Sequence, residues 1–76
     1  MFTPGGTTLD RHHAIARVRE IRAEHARAAA FYANRVAQAR ATGRYKAATR
    51  WTEEYRRAAA RCRVLGEMLR SERETA

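Results

Sequence analysis

A lone cysteine, Cys62, has no second thiol with which to form an intrachain disulfide. Proline occurs once, at Pro4, and glycine at only four positions. No apolar run approaches the roughly 20 residues that a membrane-spanning helix needs. Met1 to Asp10 contains no basic run leading into an apolar one, so a secretory signal is not expected there. Large apolar residues are scarce: the hydrophobic fraction is 45%, but seventeen of those residues are alanine, each with little area to bury. Acids are scarce too, with none between Glu24 and Glu53. At 76 residues the chain makes one small domain at most, and a domain of that size buries a modest fraction of its surface. These absences point to a small helical chain, expected in the cytoplasm or inside a virion or large intracellular complex, that needs a partner or its own copies.

Residues 11–41 hold no proline or glycine and are rich in alanine and arginine, both strong helix formers. They predict a rod of roughly 46 Å at 1.5 Å per residue. A seven-spaced row, Val18, His25, Tyr32 and Ala39, centres one face of it. Ile21 and Ala28 flank the row on one side; Ile15, Ala29 and Val36 flank it on the other. Gly43 then interrupts the pattern and is the natural C-cap, free to adopt a left-handed backbone. A second helix follows, centred on Ala48, Tyr55, Cys62 and Leu69. Trp51, Ala58 and Leu65 lie to one side of this row, and Tyr45, Thr52, Ala59 and Gly66 to the other. Folding back at Gly43 sets Ala39 opposite Ala48, Tyr32 opposite Tyr55, His25 opposite Cys62 and Val18 opposite Leu69. The expected fold is all-α: two long helices in an antiparallel αα-hairpin with a short extended N-terminal arm. The arm is residues 1–9 and the hairpin 10–72, with helices over 10–41 and 44–71, a turn at 42–43 and a tail over 73–76. Thr7 or Asp10 caps the first helix; Phe2 and Leu9 are the residues by which the arm docks. The rival is one continuous helix through Gly43, which costs about 1 kcal/mol relative to alanine.

The formal net charge is +8, from 16 basic and 8 acidic residues; fifteen of the basic residues are arginine and one is Lys46. Arginine makes forked contacts with phosphate or carboxylate, although alanine and arginine also rise together with the GC content of a coding sequence. The charge is uneven. Residues 11–50 carry ten bases and two acids, hence +8, whereas 51–76 carry six and five, hence +1. Such a field steers a chain toward a polyanion or an acidic protein surface.

Catalytic and metal-binding patterns are missing. His12 and His13 sit in the first turn, and only Cys62 faces His25 in the expected pairing, which is too few ligands for a metal site. Cys62, between Arg61 and Arg63, has no base placed beside it and reads as a small core residue. Neither E-x-x-H nor H-E-x-x-H occurs, and there is no glycine-rich phosphate loop. No catalytic, metal-binding or cofactor site is therefore expected, nor membrane insertion. Gly43-Arg44-Tyr45-Lys46-Ala47-Ala48 resembles the G-x-Y-x-x-A stretch of tetratricopeptide repeats over six residues. Thr52 replaces the next aromatic, the upstream helix lacks the Trp and Leu-Gly pattern, and no second repeat follows. The likeness reads as two solutions to one packing problem, not as membership.

Phe31, Trp51, Val64 and Met68 do not fit together on one two-helix seam. The expected function is therefore a non-enzymatic structural or adaptor protein. It would bind a protein partner in a larger assembly, or itself, through a face carrying Phe31, Tyr32, Trp51, Tyr55, Val64 and Met68. The alternative is a basic accessory protein that holds DNA or RNA backbone through Arg40, Arg44, Lys46, Arg50, Arg57 and Arg61. Both helices are too long for a helix-turn-helix, and no zinc-finger or RNA-recognition motif appears.

Overall fold

The structure, a computed structural model, describes residues 4–75, with side chains over 10–74. It holds two helices, α1 (Pro4–Ala41) and α2 (Tyr45–Thr75), packed against each other as an antiparallel hairpin. Arg11 near the start of α1 reaches Glu72 near the end of α2, with Nε to Oε2 at 3.0 Å, which fixes the antiparallel sense. There is no strand among the described residues.

α1 begins at Pro4, ahead of the start expected at residue 10. Proline suits the first helical position, where a missing N–H costs nothing. Residues 1–3 of the expected arm lie outside the described residues, as do the side chains of 4–9. The capping expected of Thr7 and the docking expected of Phe2 and Leu9 lie there too. At the other end α2 continues through Thr75, beyond the expected stop at Ser71. No glycine or proline follows Gly66 to end it, and Glu72 is tied back to Arg11.

The turn supplies partners for the Gln38, Ala39 and Arg40 carbonyls at the end of α1. Gly43 adopts φ +72°, the left-handed region that glycine enters without steric cost. The Gly43 N–H donates to the Arg40 carbonyl at 3.1 Å, and the Arg44 N–H donates to the Ala39 carbonyl at 2.8 Å. That pair of bonds is the Schellman motif, and it satisfies two of the carbonyls that a helix end leaves open. Thr42, β-branched at the last turn, is accommodated because its hydroxyl donates back to the Gln38 carbonyl at 3.0 Å. α2 then starts at once, the Ala48 N–H donating to the Arg44 carbonyl at 3.0 Å.

The seam follows the expected pattern on α1 residue for residue. Over 10–41 the residues not exposed to solvent are Ile15, Val18, Ile21, His25, Ala28, Ala29, Tyr32, Val36 and Ala39. Ala39, Ala48 and Ala58 are the buried core, at 7%, 4% and 4% exposure, so the helices meet through methyl groups. Ala39 and Ala48 were expected to face each other across the turn, and both are buried. On α2 the pattern holds for Trp51, Thr52, Ala59, Cys62, Leu65, Gly66 and Leu69, all partly buried, but fails at Tyr45 and Tyr55.

A hairpin built this way has two layers and no third. It measures 62 × 20 × 15 Å, with a radius of gyration of 17.8 Å, where a compact domain of its length has about 11 Å. It exposes 6301 Å², where a globular monomer of its mass exposes about 4,700 Å². The excess, on the order of 1,600 Å², is about twice the roughly 800 Å² that one partner contributes to a standard protein–protein interface.

Candidate functional site

Aromatic side chains from both helices gather where the turn half of the rod meets its middle. Tyr32 of α1 stacks on Trp51 of α2, with ring centroids 5.6 Å apart and planes at 25°. Phe31 meets Tyr32 edge-on at 5.5 Å and Trp51 edge-on at 6.3 Å. The Arg35 guanidinium, one turn along α1, lies 5.2 Å from the centre of the Phe31 ring and 5.9 Å from that of Trp51. Cation–π contact of this kind contributes about 0.5–1 kcal/mol at an exposed site. Tyr32 and Trp51 are half-sunk in the seam, while Phe31 is 51% exposed at its edge. Beside Trp51 a shallow groove opens, lined by Tyr32, Lys46, Ala47, Arg50 and Glu54.

The cluster corrects two expectations. Tyr32 was set opposite Tyr55, but it stacks on Trp51, and Tyr55 is left 39% exposed. The aromatic stack takes the side of the seam where two large rings and Phe31 can meet, and Tyr55 is displaced from it. The six residues expected on one interface face also divide. Phe31, Tyr32 and Trp51 come together. Tyr55 and Val64 are nine residues apart, which at about 100° per residue puts them on opposite sides of α2. Val64 and Met68, 53% and 50% exposed, share the outer face of α2, turned away from α1.

That outer face is also where part of the expected polyanion set lies. Lys46, Arg50, Arg57, Arg61, Val64 and Met68 fall within an arc of about 60° by helical spacing, and all six are exposed. Arg57 is paired there with Glu54, Nη1 to Oε1 at 3.0 Å. Arg40 sits instead on the far edge of the seam, in a shallow groove with Tyr45, Thr52 and Arg56. Arg44 is exposed at the turn. The sequence reading did not single out Arg35. The signal was its place four residues after Phe31, which sets the two side by side on a helix.

Charge divides along the rod. The turn half, residues 27–60, holds eight bases and two acids, hence +6. The remaining residues hold eight bases and six acids, hence +2. Two of the three ion pairs among the described residues, Arg11–Glu72 and Arg17–Glu20, lie in the second group. No carboxylate pairs with Arg35, Arg40, Lys46 or Arg50 among the described residues.

No family model, curated protein or solved structure matches this chain. The remaining chemistry rests on geometry. Among the described residues no three His, Cys, Asp or Glu side chains are grouped to hold a metal ion. Cys62 is a free, partly buried thiol in the seam, and its backbone carbonyl accepts from Arg22 Nε at 3.3 Å. No helix among the described residues is long and apolar enough to cross a membrane.

Proposed function

We propose that this chain is a non-enzymatic helical module that binds a protein through the face carrying Phe31, Tyr32, Arg35 and Trp51. The observation that supports this reading most is the half-exposed aromatic cluster on a two-layer rod whose buried core is three alanines. Aromatic rings and arginine are the residues that anchor interfaces, and the rings bury much area for little lost side-chain freedom. One face of each ring is occupied within the chain: Tyr32 and Trp51 cover each other, and Arg35 lies over Phe31. What the cluster offers a partner is ring edges and a groove, into which side chains of a protein can pack.

The test is recovery of the partner from the native host on the tagged chain. Phe31→Ala and Trp51→Ala release the partner, while Arg57→Ala with Arg61→Ala, outside the groove beside Trp51, retains it. The reverse pattern refutes the reading.

A second reading has its own observation. Lys46, Arg50, Arg57 and Arg61 form one ridge on the outer face of α2, spaced to meet phosphates without reading bases. Four such contacts on duplex DNA give a slope of log K against log salt of about −3.6. Binding that survives a rise from 50 to about 200 mM salt with little loss excludes this mode.

A further inference from the structure

The partner's chemistry follows from what surrounds the aromatic face. We infer that the face is occupied by an acidic amphipathic helix of another protein, laid along the turn half of the hairpin as a third helix. This rests on the protein-binding reading above and narrows it.

Three observations carry the inference. First, the groove beside Trp51 has an apolar wall, Tyr32 and Ala47, and a rim of Lys46, Arg50 and Glu54, whose carboxylate is already paired with Arg57, with Arg35 over the neighbouring rings. A helix with apolar residues at i, i+3, i+4 and i+7 would seat its stripe there and bring carboxylates on its flanks to the cations. Second, the turn half carries +6 in roughly half the rod's length. A second copy of this chain would bring a +6 half against another +6 half or against a +2 half. Charges that close lie within the Debye length, about 8 Å at physiological salt, and repel. An acidic helix turns the same field into attraction and faster encounter. Third, the size fits. Half of the 62 Å rod matches a helix of about 20 residues at 1.5 Å each. A third helix would also cover part of the excess surface that the hairpin exposes.

Trp51 is the only tryptophan in the chain, so its fluorescence reports the site directly. The full chain is titrated with three synthetic peptides of about 20 residues, the length set by the half-rod. The first has leucine at helical stripe positions and glutamate elsewhere. The second has the same composition shuffled to abolish the stripe. The third keeps the stripe and replaces glutamate with lysine. The first peptide is expected to shift Trp51 emission to the blue, to bind one to one in sedimentation, and to bind at least about tenfold tighter than either other peptide. Phe31→Ala is expected to weaken it at least about tenfold. Arg44→Ala, away from the groove, is expected to change it less than about threefold. Phe31 is half exposed, so its alanine variant keeps the helical circular dichroism that certifies the fold.

Equal binding of the shuffled peptide means that charge alone is being read, and overturns the inference. Equal or tighter binding of the lysine peptide overturns it as well, but leaves a protein-binding face. So does a homodimer of the chain that Phe31→Ala dissociates. If Phe31→Ala alters neither peptide binding nor oligomeric state, and Trp51→Ala releases nothing from the native host, the protein-binding reading falls with it. Phe31-dependent binding of a 20-nucleotide single strand in place of the first peptide also refutes both.

Discussion

Two glycines in this chain respond to the same substitution with opposite signs. Gly43 holds φ +72°, and a Cβ built there meets no atom within 4 Å. The whole effect of Gly43→Ala is therefore backbone strain, about 1–2 kcal/mol for an L-residue in the left-handed region. Gly66 lies in the middle of α2, where Gly→Ala gains about 1 kcal/mol of helix propensity. Its new Cβ would stand 3.1 Å from Arg22 Nε, 3.3 Å from Nη2 and 3.4 Å from Cζ. These atoms are the far end of a flexible, exposed side chain and can move by a few tenths of an ångström. The contact at risk is the 3.3 Å hydrogen bond from Arg22 Nε to the Cys62 carbonyl, worth about 0.5 kcal/mol at an exposed site. Gly66→Ala should thus stabilise by about 0.5 kcal/mol net, from the propensity gain less that bond. At about 4–8 °C per kcal/mol for a chain of this size, Tm falls by at least about 4 °C in Gly43→Ala and rises by about 2–4 °C in Gly66→Ala. The assay is thermal unfolding followed at 222 nm, at several protein concentrations so that association is separated from intrinsic stability. The two sites are about 34 Å apart along α2, so the double variant should show the sum. A rise in Tm for Gly43→Ala would refute the hairpin itself. In one continuous helix that substitution gains about 1 kcal/mol instead of losing it.

Other outcomes follow from the same geometry. Ala48→Leu and Ala58→Leu, each at a site 4% exposed, should push the helices apart and cost about 1–3 kcal/mol in urea unfolding, with the smaller-radius rod lost in X-ray scattering. Phe31→Ala should leave the unfolding free energy within about 1 kcal/mol of the parent while abolishing partner capture, because half of the ring is in solvent. Arg11→Ala removes a pair whose side chains are 50% and 47% exposed, so it should cost under about 1 kcal/mol, and less in high salt. Arg35→Ala should red-shift or broaden Trp51 emission and lower stability by about 0.5–1 kcal/mol, through loss of the cation–π contacts.

How much of this was legible in the residues depends on the kind of information involved. The α1 face was readable in full, because helical periodicity acts locally and no glycine or proline disturbs it between Arg11 and Ala41. The turn was readable for a similar reason: Gly43 stands alone between two helical stretches, and its left-handed backbone is a local requirement. The helix ends were less readable. α2 runs past Ser71 to Thr75, and its Glu72 is held by Arg11, sixty-one residues earlier in the chain.

The interface face was only partly readable. Sequence spacing put Trp51 and Tyr55 near the same seam but could not rank them for the place beside Tyr32. That choice depends on which rings can stack across two helices, which is a property of the packed pair. Grouping Val64 and Met68 with Phe31 treated scarce large apolar residues as one set, whereas rotation about α2 separates them. Arg35 became part of the site only once Phe31 and Trp51 were side by side beneath it.

The sequence by itself determined the two helices, the turn, the stripe each helix buries and the excess of positive charge, since each follows from local propensity, spacing or composition. Tertiary structure alone decided that Tyr32 meets Trp51 and that Arg35 lies over Phe31 beside it. Those facts depend on the rotation of one helix against the other, and that rotation is set by packing around three small alanines, a balance no single stretch of the chain contains.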